Sequence, residues 1–324
     1  MNTKNILVTG GFGILGRSLI KQLLNNKKNK VFLLDRSSNS KKILTLNIKS
    51  KNLKVIRADF TNDKILSKLI KNKNIGTIFH LGAVTQVIDA YKSPVETFNC
   101  NITGTINILE AIRNTNKDII FIYSSSDKAY GELKNKEYYE DHPLKGDFPY
   151  DVSKSASDLI SQSYVKTYGL RVGIIRSGNI YGPGDYNKDR LVPHVIISTL
   201  KNKRSVLRSN GKLIRDYIYV EDVSRAYVLL MNEMMRKRRK LYIYNLGSSE
   251  NLTVIQLVKL IVKKIKNSKL RPKILNSTTR IEIKKQKLNY NRILNDLGWK
   301  PRWNIDKAME VTISWYKNNI KLFR

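Results

Sequence analysis

The chain has 324 residues, 41% of them hydrophobic, and its 60 Lys plus Arg against 26 Asp plus Glu give a formal charge of +34. This length buries a sizeable core in one large or two modest domains, while a single cysteine, Cys100, excludes a disulfide scaffold and a cysteine-built zinc site. The apolar runs are too short for a transmembrane helix and the N-terminus enters a strand pattern at once, so a cytoplasmic protein with no membrane partner is expected.

The first half alternates short β-branched runs with helical patterns. Asn5-Ile6-Leu7-Val8 reads as a buried strand, and Leu15 to Leu24 as a helix with Leu15, Leu19, Ile20, Leu23 and Leu24 on one face. Val31 to Leu34, Val55-Ile56 and Thr77 to Phe79 read as the next three strands. A helix follows from about Val95 to Arg113, then a strand over Ile119 to Ile122. A second long helix covers about Val152 to Tyr168, with Gly169 placed to end it, and Arg171 to Ile175 is a further strand. Alternation of this kind predicts an α/β fold, a Rossmann-like doubly wound parallel sheet covered on both faces.

After Arg176 the pattern changes. Loops lengthen around Gly182-Pro183-Gly184-Asp185 and strands become short. Thr253-Val254-Ile255-Gln256 is a capping box that opens a helix to about Lys266, and a last helix runs from about Ile305 to Asn318. A smaller C-terminal substrate domain, interleaved with the first, accounts for this. The expected division is 1–176 plus about 215–246 for the sheet domain, and 177–214 plus 247–324 for the other.

Basic residues are spread from Lys4 to Arg324, and only Arg236-Lys237-Arg238-Arg239-Lys240 makes a dense run. A nucleic-acid surface concentrates its charge or interleaves it with aromatics, so no nucleic-acid partner is expected. Most of the charge reads instead as a compositional bias on a solvated surface. His80, His142 and His194 are too scattered to indicate a metal site, and none is expected.

Gly10, Gly13 and Gly16 lie between the first strand and the first helix. There the backbone turns tightly and can approach a pyrophosphate, which the helix N-terminus then faces with free N–H groups. Asp35 ends the second strand, where a carboxylate accepts hydrogen bonds from an adenosine ribose and repels a 2′-phosphate. NAD is therefore the expected cofactor, with Arg36 beside Asp35 softening the preference. Tyr150 and Lys154 are one helical turn apart, and an ammonium near a phenol lets it serve as a base. Tyr130 and Lys134 have the same spacing, so position decides. Tyr150 opens a long helix downstream of Ser126, a hydroxyl just past a strand, whereas Tyr130 follows that strand directly and reads as packing.

Together these motifs resemble the extended short-chain dehydrogenase/reductase family, the NAD-dependent epimerases and dehydratases of nucleotide-sugars. The resemblance covers Thr9 to Gly16, Arg57-Ala58-Asp59, His80-Leu81-Gly82-Ala83, Asn99 with Gly104-Thr105, and Ser124 to Gly131. It continues through Tyr150/Lys154, Arg176 to Pro183, Arg215 to Val223 and Leu297 to Pro301. It implies cofactor contacts from Gly10, Phe12, Gly13, Ile14, Gly16, Asp35, Arg36, Asp59, Phe60, Leu81, Ala83, Asn99, Tyr150 and Lys154. It implies a hydrogen bond from Ser126 to the sugar hydroxyl being oxidised, Tyr150 as its base, and Lys154 on the nicotinamide ribose. Asn179, Arg190, Arg215 and Tyr219 would meet a nucleotide-diphosphate hexose, the expected substrate. A homodimer built through the helices at about 95–113 and 152–168 is also implied.

Family members begin by oxidising the sugar, usually at carbon 4. The fate of the keto sugar then depends on Asp127 and Lys128. An Asp-Lys pair after the serine resembles the CDP-glucose 4,6-dehydratase branch, as do Pro143 to Tyr150 and Gly178 to Pro193. The glycine loop and Arg215 to Val223 match the wider family instead. Elimination across carbons 5 and 6 needs an acid for the departing hydroxyl, expected of Asp127, and a base for the carbon 5 proton, expected of Lys128. A depressed lysine pKa is required for that, by burial or a neighbouring cation such as Lys154. The expected reaction is a 4,6-dehydration. A 4-epimerase needs only Ser126, Tyr150 and Lys154, and a non-catalytic basic Rossmann protein is the outside alternative.

Overall fold

A computed structural model describes residues 4–36, 46, 48–133, 137–266, 270–276 and 283–323. Lys134, the partner of Tyr130 in the second Tyr/Lys pair, and Arg324 lie outside them. Among the described residues the strands are β1 (Lys4–Thr9), β2 (Asn29–Asp35), β3 (Leu53–Arg57), β4 (Thr77–His80), β5 (Ile120–Ser126), β6 (Arg171–Ser177), β7 (Asn179–Tyr181), β8 (Val206–Leu207), β9 (Ile214–Tyr219), β10 (Leu241–Leu246), β11 (Asn251–Thr253) and β12 (Lys273–Ile274). The helices are α1 (Ile14–Leu24), α2 (Asp63–Asn72), α3 (Val87–Lys92), α4 (Pro94–Phe98), α5 (Gly104–Thr115), α6 (Pro149–Tyr168), α7 (Leu191–Leu200), α8 (Val220–Arg236), α9 (Val254–Lys264), α10 (Asn291–Leu297) and α11 (Ile305–Asn319).

Seven strands form one parallel sheet in the order β10-β6-β5-β4-β1-β2-β3. Its central strands are buried on both faces, which is why they read as unbroken apolar runs. Alternate residues of one strand feed two cores. Ile6 and Val8 of β1 pack with Leu19 of α1 and Val223, Leu230 and Met234 of α8, while Leu7 packs on the other side with Leu66 of α2 and Ile108 and Ile112 of α5. β3 is the edge, and Lys54 and Arg57 are exposed there. The doubly wound sheet is thus as the sequence predicts.

A third core joins Val195 and Ile196 of α7, Leu257 and Ile261 of α9, and Met309 and Tyr316 of α11. A three-stranded sheet, β11-β9-β7, flanks it. Of the stretch 215–246 assigned to the first domain, α8 and β10 pack with the large sheet and β9 with the small one. Among the described residues no helix is long and apolar enough to cross a membrane.

Two expected boundaries change. The helix expected over 95–113 is broken into α4, a π-turn over Asn99–Thr103, and α5. The expected strand over 119–122 runs on to Ser126, so that serine is its last residue rather than a loop residue beyond it. The pattern reading also passes over α2, which Asn62 caps by accepting from the Ile65 N–H at 3.2 Å.

Candidate active site

The strand order reverses between β1 and β4, and a crevice for ligands opens there at the carboxyl ends of the strands. Gly10 sits in it with φ of 67°, and a Cβ on it would come within 2.7 Å of the Gly82 nitrogen. Only glycine permits that conformation and approach together. The Gly13 N–H donates to the Gly10 carbonyl at 3.0 Å and closes the loop. No side chain caps α1, whose first N–H groups face the crevice with the positive end of the helix dipole. Phe12 and Ile14 bury their side chains in two different cores, so what they offer a cofactor is backbone. Asp35 ends β2, and Arg36 pairs with Glu96 at 3.5 Å. This cradle fits the pyrophosphate and ribose of a dinucleotide.

Behind the crevice is a hydrogen-bonded pin. Thr105 gives its hydroxyl proton to the Asn101 carbonyl at 2.6 Å, so it accepts from His80 Nε2 at 3.2 Å. His80 Nδ1 then accepts from the Thr9 hydroxyl at 2.8 Å, and Thr9 in turn accepts from the Gly82 N–H at 3.0 Å. Burial, and secondarily the Lys154 ammonium, push His80 down to about 3 and keep it neutral. Phe60 wedges its ring between Gly82 and Gly104, where a Cβ would meet it at 2.6 and 2.5 Å, and lies edge-on to His80. Asp59 holds the Thr61 N–H and hydroxyl at 2.9 and 2.8 Å. Leu81 and Ala83 line the half-buried stretch after β4.

Asn99 is exposed at the start of the π-turn. The asparagine brought inside is Asn101, two residues on. It accepts from the Val84 N–H at 2.8 Å and donates to the Val84 carbonyl and to Ser153 on α6. Both asparagines precede Gly104, and only the π-turn decides which one faces the site.

Ser126, Asp127, Tyr150 and Lys154 are brought together at the end of β5. Ser126 donates to Asp127 Oδ1 at 2.9 Å and is hydrogen-bonded to Tyr150. Asp127 is 3% exposed and its Oδ2 has no partner. Burial pushes its carboxyl up, with Lys128, Ser126 and Arg215 pulling it back. Lys128 is half-buried and faces two carboxylates, Asp127 and Asp151. Lys154 is buried on α6 one helical turn after Tyr150. Its ammonium donates to the Ser124 carbonyl at 2.8 Å and lies 5.0 Å from the Tyr123 ring, and burial pushes it down to about 8. Burial pushes the Tyr150 phenol well above its ordinary value, the Ser126 hydrogen bond and Arg190 pull it down, and Asp127 and Asp151 push it further up. Tyr130 packs, as expected, and its hydroxyl donates to Asn245 at 2.7 Å.

The residues expected to meet the substrate separate into two groups. Arg215 is buried, donates to the Ile214 and Ile283 carbonyls, and faces Asp127. Arg190 bridges Asp185 at 3.3 Å and the Thr85 hydroxyl at 3.1 Å, close enough to act on Tyr150. Asn179 makes a long bond of 3.4 Å to the Asp216 carbonyl. Tyr219 belongs elsewhere. Its ring packs in the third core against Trp303 and Tyr181, at 4.8 and 5.8 Å, and its buried hydroxyl has no partner. Sequence spacing did not reveal Thr85 or Arg17, whose guanidinium donates to the Phe12 carbonyl and stacks on Tyr186 at 4.6 Å.

A dinucleotide loop, a Tyr/Lys pair on the helix after β5 and a serine at that strand's end define an extended short-chain dehydrogenase/reductase. The chain is an NAD-dependent enzyme of the nucleotide-sugar dehydratase and epimerase kind. It belongs to the GDP-mannose 4,6 dehydratase family, whose pattern it matches over residues 7–312. Human dTDP-D-glucose 4,6-dehydratase is 28% identical over 330 residues, covering 98% of this chain and 91% of that protein. A trifunctional dehydratase, epimerase and reductase of Arabidopsis thaliana is also 28% identical, but the chain spans only 47% of its length. Among solved structures, dTDP-glucose 4,6-dehydratase of Bacillus anthracis in complex with NAD has 25% identity and a TM-score of 0.87, covering 98% of both chains. UDP-glucose 4-epimerase of Thermotoga maritima with UDP-glucose matches equally well, at 25% identity and a TM-score of 0.87, covering 98% of this chain and 99% of that one.

Proposed function

We propose that the chain is a nucleotide-sugar 4,6-dehydratase that converts a nucleotide-diphosphate hexose to its 4-keto-6-deoxy product. The observation that carries this reading is the Asp127 carboxyl, buried, raised by burial and with a free Oδ2, hydrogen-bonded to the serine that would hold the carbon 4 hydroxyl. A 4-epimerase needs no acid at this place. Bound NAD supplies the chemistry of hydride acceptance from carbon 4 and hydride return to carbon 6. Ser126 and Tyr150 hold the carbon 4 hydroxyl and Tyr150 takes its proton. Lys154 fixes the ribose side of the cofactor, with Asp35 at its other end. A carboxyl kept neutral by burial can give its proton to the carbon 6 hydroxyl as it departs, which is the role of Asp127. Lys128 takes the carbon 5 proton. Arg215 and Arg190 meet the diphosphate, where a guanidinium fork suits the ligand.

Incubation with CDP-, dTDP-, UDP- and GDP-hexoses tests this. Mass spectrometry should find loss of one water from a member of the panel, with an alkali-developed 4-keto chromophore. Conserved mass with inversion at carbon 4 would establish the epimerase instead. Assembly follows from the same kinship. Val95 on α4 and Val152, Leu159 and Tyr168 on α6 are exposed apolar residues suited to a homodimer through these helices. Light scattering should give twice the chain mass, and a monodisperse monomer would refute it.

A further inference from the structure

The loop from Gly182 to Arg190, between β7 and α7, touches both rims of the dinucleotide crevice, and of its residues the reaction above uses Arg190 alone. Gly182 and Gly184 take φ of 153° and 81°, so the chain turns sharply on either side of Pro183. The turn brings Tyr186 to the rim that follows β1. There the Arg17 guanidinium, in the first turn of α1, lies 4.6 Å from the centre of the Tyr186 ring, and its Nε donates to the Phe12 carbonyl of the glycine loop at 2.8 Å. At its other end the loop reaches the rim that follows β4, where Arg190 Nη2 donates to the Thr85 hydroxyl at 3.1 Å.

Between these two fastenings the loop is held in one piece. Asp185, 5% exposed, accepts from the Asn187 N–H at 3.1 Å and from Arg190 Nη1 at 3.3 Å, which ties the Tyr186 end to the Arg190 end. Behind it, Tyr316 of α11 donates to the Asp185 carbonyl at 2.6 Å, and the Tyr186 ring packs on Trp315 and Phe323 at 5.5 and 5.8 Å. The loop is thus carried by the third core and meets the two rims of the large sheet's crevice through Arg17 and Thr85.

We propose that this loop is a strap over the crevice that governs the exchange of NAD, with the Arg17–Tyr186 contact as the fastening that opens. Both fastenings join protein to protein and use no atom of the cofactor, so the strap opposes entry as much as release. The Arg190 end combines an ion pair with a hydrogen bond, whereas the Arg17 end is a guanidinium over a ring face, the weaker of the two. Gly182 and Gly184 lie beside Tyr186 and supply the backbone freedom that opening at that end needs. In dehydration and in epimerisation alike the hydride returns to the sugar, so no turnover calls for a fresh cofactor, and a strap that slows exchange leaves the reaction unhindered. The inference rests on the NAD requirement that both readings share.

The test uses the holoenzyme loaded with radiolabelled NAD and chased with excess unlabelled NAD, bound label being separated by gel filtration. Tyr186→Leu keeps Arg17 and its charge. It should raise the release rate by about tenfold while the equilibrium Kd for labelled NAD stays within about twofold of wild type, because entry quickens in step. Tyr186→Phe keeps the ring face and should release NAD at the wild-type rate. Arg17→Gln undoes the same contact from α1 without touching the third core, and should match Tyr186→Leu, with no further gain in the double variant. Should Tyr186→Leu not fold, Arg17→Gln carries the test by the same two readings. Release unmoved by these variants, or a Tyr186→Phe protein as fast as Tyr186→Leu, would overturn the proposal. So would faster release with Kd weakened in proportion, which would make Arg17 a direct partner of the pyrophosphate instead of a fastening. A wild type that binds NAD but loses its label within one turnover would show that no strap holds it, while a wild type that binds no NAD would refute the cofactor requirement itself, and this inference with it.

Discussion

His80 is neutral inside the sheet because burial and then Lys154 push it down to about 3. In the unfolded chain a histidine titrates near 6.5, so below about that pH the unfolded state takes up a proton that the folded state refuses. The stability due to His80 is therefore lost progressively from about pH 6.5 down to about pH 3, by about 2 kcal/mol near pH 5. Buried carboxylates of the opposite sign, Asp216 raised to about 7 and Asp151 to about 6, gain stability over the same range and outweigh the His80 loss, which the wild type alone therefore hides. The difference between two proteins isolates it. His80→Gln should be weaker at neutral pH, since it disturbs the pin from Thr9 to Thr105. Urea unfolding near pH 7 and pH 5 should then show the wild type gaining about 2 kcal/mol less than the variant as pH falls. An unchanged difference between the two proteins would mean that His80 takes up its proton in the fold.

At the scale of elements, one buried ion pair ties the catalytic strand to its neighbours. Arg176 of β6 donates from Nε and Nη2 to both oxygens of Asp158 on α6, each at 2.9 Å, and both residues are 1% exposed or less. Its Nη1 donates to the Tyr130 hydroxyl and the Glu140 carbonyl, and Ser125, the residue before Ser126, donates to Asp158 Oδ2. Removing one partner leaves the other charge buried alone. Arg176→Met should cost about 3–5 kcal/mol in urea unfolding, and Arg176→Met with Asp158→Leu should recover most of it. A double variant as weak as the single would show that the fork, and not the stranded charge, sets the stability. How much of this the sequence discloses depends on whether the cause is local. The sheet was legible because strands buried on both faces must be continuous apolar runs, and α9 because Thr253 and Gln256 cap it within four residues. Tyr150 and Lys154 were legible by their order after Ser126. The π-turn was not, since it is made by contacts of Asn101 with Val84 and of Gly104 with Phe60, both distant in the chain. Asp151 looked like any acid in a first helical turn, where it would favour the dipole from solvent. Its burial comes from Gly146 folding back over α6.

Over the whole molecule, the +34 charge is distributed and partly answered. Even the dense run pairs locally, with Arg236 and Lys237 both on Glu233, at 2.9 and 2.8 Å, and Arg239 on Asp296 at 3.8 Å. What remains is a long-range positive field around an enzyme whose proposed ligands are anions. Such a field raises the encounter rate without altering chemistry at carbon 4 or 5, and it is screened within about 10 Å at 0.1 M salt. For a nucleotide-diphosphate hexose, kcat/KM should fall several-fold as salt rises from about 20 to about 200 mM, while kcat stays level. Lys307, Lys317 and Lys321 are exposed on and after α11. Changing all three to Gln should flatten the salt dependence of kcat/KM and leave kcat untouched. A kcat/KM independent of salt would show that chemistry or product release, not encounter, limits turnover at low substrate, and would leave the charge with no part in catalysis. A fall in kcat on neutralising this triple set would instead place those lysines in contact with the reacting complex, which the distributed field does not require.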